Sequence, residues 1–411
     1  MQNSDFSIHN LPYGIFSTVA NPAKRVGVAF EEDIIDLAVV QRVGLFVGID
    51  LPEGIFERHC LNDFIALGKA TTGKVRTILQ TLLQGGKQEL ASLAGEVFVA
   101  QVTAQMHLPV QIGDYTDFYS SIEHATNTGT MFRDPANALF PNWKHLPVGY
   151  HGRASSIVVS GTNIMRPIGQ TKADTDDLPT LQASKQMDFE LELGFIIGKD
   201  TALGQRISTE EAESYIFGLV LFNDWSARDI QKWEYVPLGP FLGKNFGSSI
   251  SAWIVPLEAL EPFRLPTPIQ DPSVLPYLTF EGLKNYDIHL EVVIQPEGSS
   301  ENLVSKSNFK YMYWNMAQQL AHHTINGCNV RVGDMYASGT ISGKSPDSYG
   351  SMLELAWKGT KPLQMSDGTT RSFLQDNDTI IMRGYCEKEG VRVGFGEVRG
   401  KVLPAQPFLK E

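Results

Sequence analysis

Downstream of Pro109 the chain repeatedly presents short apolar runs closed by turn-forming residues: SSIVVSG, FELELGFIIG, IFGLVLFND, YDIHLEVVIQ and TIIMRGY. Runs of this length, alternating or continuous and punctuated by Gly, Asn and Asp, are what half-buried and buried strands require. The larger part of the chain is therefore expected to be sheet-dominated with few helices. Residues before about 104 read differently, mixing short β-rich runs (RVGVAF, EVFVAQV) with the helical stretch KVRTILQTLLQ, which Gly85-Gly86 should stop. This is expected to be a small α+β or barrel-like unit. The periodicity lapses at Pro109, which places a boundary near residues 105–115, with domains of 1–110 and 111–411.

Two helices are expected in the downstream part. One spans Asn308 to Ile325, with Ser307 as N-cap and Met312, Met316 and Leu320 on one face. The other starts at Ser208, where STEE has capping-box spacing.

A length of 411 residues suits one large and one small domain, and a hydrophobic fraction of 42% can fill both cores. The net charge of −12 argues against nucleic-acid or anionic-membrane partners. Cys60, Cys328 and Cys386 are far apart with no CxxC pair, so reduced thiols are expected rather than a disulfide framework or zinc knuckle. With no secretory n-region and no apolar run of spanning length, the expected location is the cytoplasm.

In the run Asp188 to Gly194, alternation sends Phe189, Leu191 and Leu193 to one strand face and Glu190 and Glu192 to the other. Two carboxylates on one face form either a solvated surface or part of a hard-cation site. Asp224 ends the run IFGLVLFND, where a buried strand gives way to a polar turn. Arg228 and Gln231 follow at i+4 and i+7, on its face if the segment is helical, although Asp224 could equally be an N-cap beside a surface Arg. Asp117, Tyr119, His124 and then Arg133 crowd a short acidic, aromatic and imidazole segment in which a lone His would ordinarily be structural. Lys244 in GPFLGKNFG reads by default as an exposed turn lysine, and His322 and His323 as structural groups at a helix end. SGTISGKS has three residues between Gly339 and Gly343 where a phosphate loop needs four, which excludes a nucleotide site but leaves a Gly-rich backbone suited to an anion.

The strings IGDYTDFY, HLPVGYHGRASSIVVSG, NDWSARDI, WEYVPLGPFLGK, HHTINGCN, SGTISG, GSMLELAWKGT and VGFGE together resemble the fumarylacetoacetate hydrolase family over nearly the whole chain. The resemblance implies a mainly β protein with α+β elements: an N-terminal SH3-like barrel, a large C-terminal mixed-sheet β-roll and a homodimer. It implies hydrolysis of a carbon–carbon bond in a small diketo acid, fumarylacetoacetate, at the end of tyrosine and phenylalanine breakdown. The positions matching the family's metal ligands are Asp117, Glu190, Glu192 and Asp224. An all-carboxylate set suits its Ca2+, or Mg2+ at the same or an adjacent site with Lys244 and Ser248, the last standing where threonine is expected. By the same matching His124 is the general base, Glu354 orients it, and Arg228, Gln231 and Lys244 stabilise developing anions. Tyr119, Arg133, Tyr150, Gln231, Tyr235 and Thr340 would contact substrate. Two alternatives keep the same acids: acylpyruvate hydrolysis or oxo-acid decarboxylation on this fold, or a noncatalytic metal-stabilised module.

Overall fold

The structure, a computed structural model, describes residues 4–407, so the extreme ends of the expected domain ranges lie outside the described residues. The protein is mostly sheet with some helices, as the punctuated apolar runs require.

A mixed sheet forms its centre. Its strands run in the order Gly149–His151, Tyr115–Phe118, Met335–Ala337, Leu191–Ile197, Ile216–Asp224, Ser248–Ile250 and Ile157–Val159, with Val255–Pro256 also pairing to Ile216–Asp224. The pairs Met335–Ala337 with Tyr115–Phe118, and Ser248–Ile250 with Ile157–Val159, are parallel and the others antiparallel.

Alternation sorts the two faces of this sheet into separate cores. Leu191, Leu193, Phe195, Leu219 and Leu221 pack with Val292, Met382 and Val398 of a second sheet, which contains His289–Gln295, Thr379–Lys388 and Val391–Leu403. Ile196, Val220, Phe222 and Met335, from the opposite face, pack with Tyr13, Val28 and Phe64. These last belong to the N-terminal part, whose five strands pair antiparallel in the order Phe98–Ala100, Asp33–Asp36, Arg25–Phe30, Tyr13–Thr18 and Ala104–His107. The helix Lys69–Leu82 lies against them and stops just short of the Gly85-Gly86 pair, as expected.

The long helix differs from expectation. Ser307 and Asn308 belong to the strand Asn302–Asn308, where Ser307 Oγ donates to Ile341 O at 2.8 Å and is not a cap. A short 3-10 turn, Phe309–Tyr311, follows, and the helix spans only Met316–Thr324. It starts there because Asn315 and Gln318 form a reciprocal capping box that satisfies its first amides. Ser208 and Glu211 do pair reciprocally, but only the 3-10 turn Ala212–Tyr215 follows before the chain enters the buried strand Ile216–Asp224.

Candidate active site

The face of the central sheet that is apolar at Ile196, Val220 and Phe222 becomes acidic toward one end. Glu190 and Glu192 lie beside Asp224, the last residue of its strand, and Asp117 comes from the strand Tyr115–Phe118. One carboxylate oxygen from each of the four lies within 4.8 Å of the others. Their exposures, 2%, 5%, 0% and 1% for Asp117, Glu190, Glu192 and Asp224, exclude the solvated-face reading of the glutamate pair.

Lys244 is not an exposed turn lysine. It is buried, with Nζ 2.5 Å from Glu190 Oε2 and 2.6 Å from Asp224 Oδ2. Ser248 Oγ and Tyr150 OH donate to Asp224 at 3.0 and 3.2 Å, and the amide of Gly339 donates to Glu192 Oε2 at 2.8 Å. Asp224 is thus no helix cap, and the Gly-rich backbone does face an anion, a carboxylate of the same chain. Asp117 Oδ1 and Glu192 Oε1 are buried with no hydrogen-bond partner.

The electrostatics point the same way. Burial and then the neighbouring Asp224 push the Asp117 carboxyl far above its ordinary range, and burial with Asp117 and Glu190 does the same to Glu192. Burial also opposes the charge of Glu190, but Lys244 and Arg228 hold it well below that range. Glu190 is thus compensated by side chains, while Asp117 and Glu192 keep orphaned oxygens crowded by like charge. A hard divalent cation, which takes several oxygen ligands, fits this donor set.

The imidazole lies nearby on the helix Ile122–Phe132, whose N-cap Ser121 accepts the His124 amide at 3.1 Å. His124 Nδ1 donates to Glu354 Oε2 at 2.7 Å, and both side chains are buried. Glu354 sits on the short helix Met352–Leu355 and also accepts from Ser342 Oγ, Ser351 Oγ and Asn127 Nδ2, each at 2.9 Å. Burial works against its charge, yet His124, Asn127 and Ser342 hold its carboxyl below the usual range. The lone-histidine default therefore gives way to an oriented His–carboxylate pair.

Arg228 opens the helix Arg228–Glu234, so it and Gln231 share a helical face, although Asp224 itself remains in the strand. Arg228 Nη1 lies 2.7 Å from Glu190 Oε1 and donates to Gln231 Oε1 at 3.4 Å, while Nη2 is buried without a partner. Burial opposes the charges of Arg228 and Lys244, but the facing carboxylates hold both protonated.

Among the expected substrate contacts, the Tyr119 ring stands edge-on to His124 at 5.3 Å, its hydroxyl hydrogen-bonds Thr128, and burial pushes its phenol up to about 12. Thr340 is buried with Oγ1 unpartnered. Arg133 is partly buried over the Phe140 ring, with Nη2 on Ala138 O at 2.5 Å and Nε unpartnered. Tyr235 is not drawn into the buried cluster and is 48% exposed.

Asp188, Tyr115, Asn127, Ser342 and Ser351 were not anticipated here. Ser351-Met-Leu-Glu354 has capping-box spacing that could have flagged Ser351, while the others carry no local signature. A cavity of about 180 Å³ lined by Tyr115, Tyr150, Asp224, Lys244 and Ser248 opens beside the acids. A broader hollow of about 1380 Å³ in the N-terminal part, lined by Lys24, Arg25, Asp36 and Arg42, lies away from this chemistry.

A mixed-sheet protein carrying an oriented imidazole beside a buried carboxylate pocket that could hold a metal ion has the frame of a hydrolase. Residues 115–403 match the pattern described as "Fumarylacetoacetate (FAA) hydrolase C-terminal" and residues 9–109 that described as "Fumarylacetoacetase N-terminal". The chain is 55% identical to human fumarylacetoacetase over 98% of its own length and 97% of the relative's. It is 54% identical to the Caenorhabditis elegans fumarylacetoacetase over 98% of each chain, and 49% identical to that of Arabidopsis thaliana over 98% and 97%. The solved fumarylacetoacetate hydrolase from psychrophilic Exiguobacterium antarcticum shares the fold at 19% identity, with a TM-score of 0.52 over 96% of this chain and 100% of that one. The chain belongs to the fumarylacetoacetase family. Among the described residues, no helix is long and apolar enough to cross a membrane.

Proposed function

We propose that the chain hydrolyses 4-fumarylacetoacetate to fumarate and acetoacetate, the closing step of tyrosine and phenylalanine catabolism. The observation that carries this reading is near-complete coverage by fumarylacetoacetases at about half identity, in a chain where His124 and Glu354 lie 2.7 Å apart.

Glu354 fixes the His124 tautomer with the proton on Nδ1, so Nε2 is the nitrogen that takes a proton from water. The hydroxide so formed adds to the carbonyl next to the unsaturated arm. When the tetrahedral adduct collapses, the carbon–carbon bond breaks and its electron pair leaves as the acetoacetate enolate. That enolate then takes up the proton held by His124. Arg228, through its free Nη2, together with Gln231 and Lys244, donates to the developing oxyanion and to the leaving enolate.

Asp117, Glu190, Glu192 and Asp224 would hold Ca2+, with Mg2+ in its place or at an adjacent site formed by Asp224, Lys244 and Ser248. A bound divalent cation would supply Lewis-acid polarisation of the 1,3-dicarbonyl. Arg133, Tyr119, Tyr150, Gln231, Tyr235 and Thr340 bind the substrate, the guanidinium and phenols suiting its carboxylate ends.

The five-stranded antiparallel N-terminal sheet supports reading residues 1–110 as an SH3-like barrel domain set against a catalytic β-roll of 111–411. The working form is a cytoplasmic homodimer. Incubation with fumarylacetoacetate, with and without a chelator, tests the reading: equimolar fumarate and acetoacetate, released in a chelator-sensitive manner, are expected. An inert substrate with intact calcium binding would move the assignment to acylpyruvate hydrolysis.

A further inference from the structure

We propose that Asp188 is a positioning residue that sets Arg228 and the Glu354–His124 pair in register with each other. The inference rests on the roles proposed above for Arg228 and His124.

Asp188 is 0% exposed, and both of its oxygens are fully engaged. Oδ1 accepts the amides of Phe189 and Met352, each at 2.7 Å. Oδ2 accepts Arg228 Nε at 2.7 Å and the amide of Leu353 at 3.0 Å. Met352 and Leu353 are the first two residues of the short helix that carries Glu354, so their amides have no carbonyl partner within that helix. One carboxylate therefore joins two elements far apart in sequence. One element presents the Arg228 guanidinium, already tied to Glu190 through Nη1, with Nη2 left over for the reacting centre. The other presents Glu354, which holds His124 Nδ1.

The pairing of Met187–Asp188 with Ser226–Ala227 delivers Arg228 to Asp188, and the Glu190–Ser351 bridge delivers the short helix. Asp188 closes the triangle. Asparagine could not replace it, because its amide nitrogen would face an N–H donor from either Arg228 or the helix and leave that group buried and unpaired. Any displacement then reaches the oxyanion donor and the base together, and small misplacements of reacting groups can cost roughly 100-fold in rate.

The test measures kcat and KM on fumarylacetoacetate for the calcium-loaded full chain, in a cycle of Asp188→Asn, Arg228→Gln and the double variant. The expectation is a kcat lower by roughly 100-fold in Asp188→Asn with KM within about threefold, but a further loss of only roughly tenfold when Asp188→Asn is added to Arg228→Gln. That shortfall arises because the arm through Arg228 is already gone. A purely structural role would give equal factors in both backgrounds, and equal factors or a kcat within about twofold of the parent would overturn the inference. Should Asp188→Asn fail to fold, the comparison of Arg228→Gln with the double variant decides, since no guanidinium is then left buried without a counter-charge. A roughly tenfold drop in kcat there, at a KM within about threefold and with the two unfolding midpoints alike, supports the inference, whereas no drop, or a drop that follows the midpoint, ends it. A fully active Arg228→Gln would sink the role of Arg228 and this inference with it, whereas a damaged Arg228→Gln beside an intact Asp188→Asn sinks this inference alone.

Discussion

Glu354 Oε2 lies 2.7 Å from His124 Nδ1 across 230 residues of sequence, and the carboxylate is held in turn by Ser342, Ser351 and Asn127. An imidazole oriented this way, if it is the proposed base, should matter chiefly for proton transfer. His124→Ala is expected to lower kcat by roughly 10² to 10⁴ while the fold and calcium affinity are retained. Steady-state kinetics beside calorimetry checks this, and a fully active variant would remove His124 from the mechanism.

Lys244 Nζ touches Glu190 and Asp224 in a pocket where Asp117 and Glu192 each keep an orphaned oxygen. Removing the ammonium leaves buried like charges unbalanced until a cation enters. In chelator, Lys244→Met is expected to be less stable than the parent by about 3 kcal/mol, the scale of breaking a buried pair. Calcium should restore more stability to the variant than it adds to the parent. Urea unfolding with chelator and with calcium measures both increments; equal increments would show that Lys244 does not compensate the cation pocket.

Period-two alternation correctly divided Phe189, Leu191 and Leu193 from Glu190 and Glu192, because a strand's faces are fixed by its own backbone. What alternation could not convey was that this face is buried, which depends on Asp117 and Asp224 arriving from other strands. The local reading of Lys244 as an exposed turn lysine failed for the same reason: GPFLGKNFG is a turn by composition, and only tertiary contacts bury its lysine. The helix expected over Asn308–Ile325 failed at its start because Ser307 was already bonded to Ile341, leaving Asn315 to supply the cap. That His124, Arg228 and Glu354 belong beside the acids was suggested only by family resemblance, on which their proposed roles rest. Asp188, whose partners beyond the adjacent Phe189 amide are remote in sequence and include the backbone amides of Met352 and Leu353, left no comparable trace.

His323 stands edge-on to Tyr336 at 4.8 Å, and burial, then the like charges of His151 and His322, push its imidazole down to about 4. The unfolded chain protonates this group near the ordinary value of about 6.5, whereas the folded chain resists until about 4. Its contribution is therefore fully present above pH 6.5 and is lost as pH falls through the interval down to about 4. Some solvent reaches the ring, so the loss should be about 2 kcal/mol. Urea midpoints from pH 7 to pH 4 should fall less steeply in His323→Phe, and parallel pH profiles would show that this ring does not drive the acid limb.

Gly339 has φ +79°, and its amide donates to Glu192 Oε2 at 2.8 Å. A Cβ there would lie 2.3 Å from the Phe118 carbonyl oxygen and 2.9 Å from Tyr119 Cα. Backbone strain and steric conflict therefore act together, and because both obstacles are backbone atoms the segment that holds Glu192 must move. Gly339→Ala is expected to lose about 2–4 kcal/mol of stability. Calcium affinity should also fall roughly tenfold, since a charge-assisted hydrogen bond to one of the acids is lost. Gly161→Ala separates the two effects: Gly161 has φ +94° with nothing within 4 Å of its Cβ position, so it carries the conformational cost of about 1 kcal/mol without reaching the acids. Calorimetric calcium titration of both variants should show a weakened site for Gly339→Ala and a parental one for Gly161→Ala, whereas parental affinity in both would mean that the Gly339 amide does not set the position of Glu192.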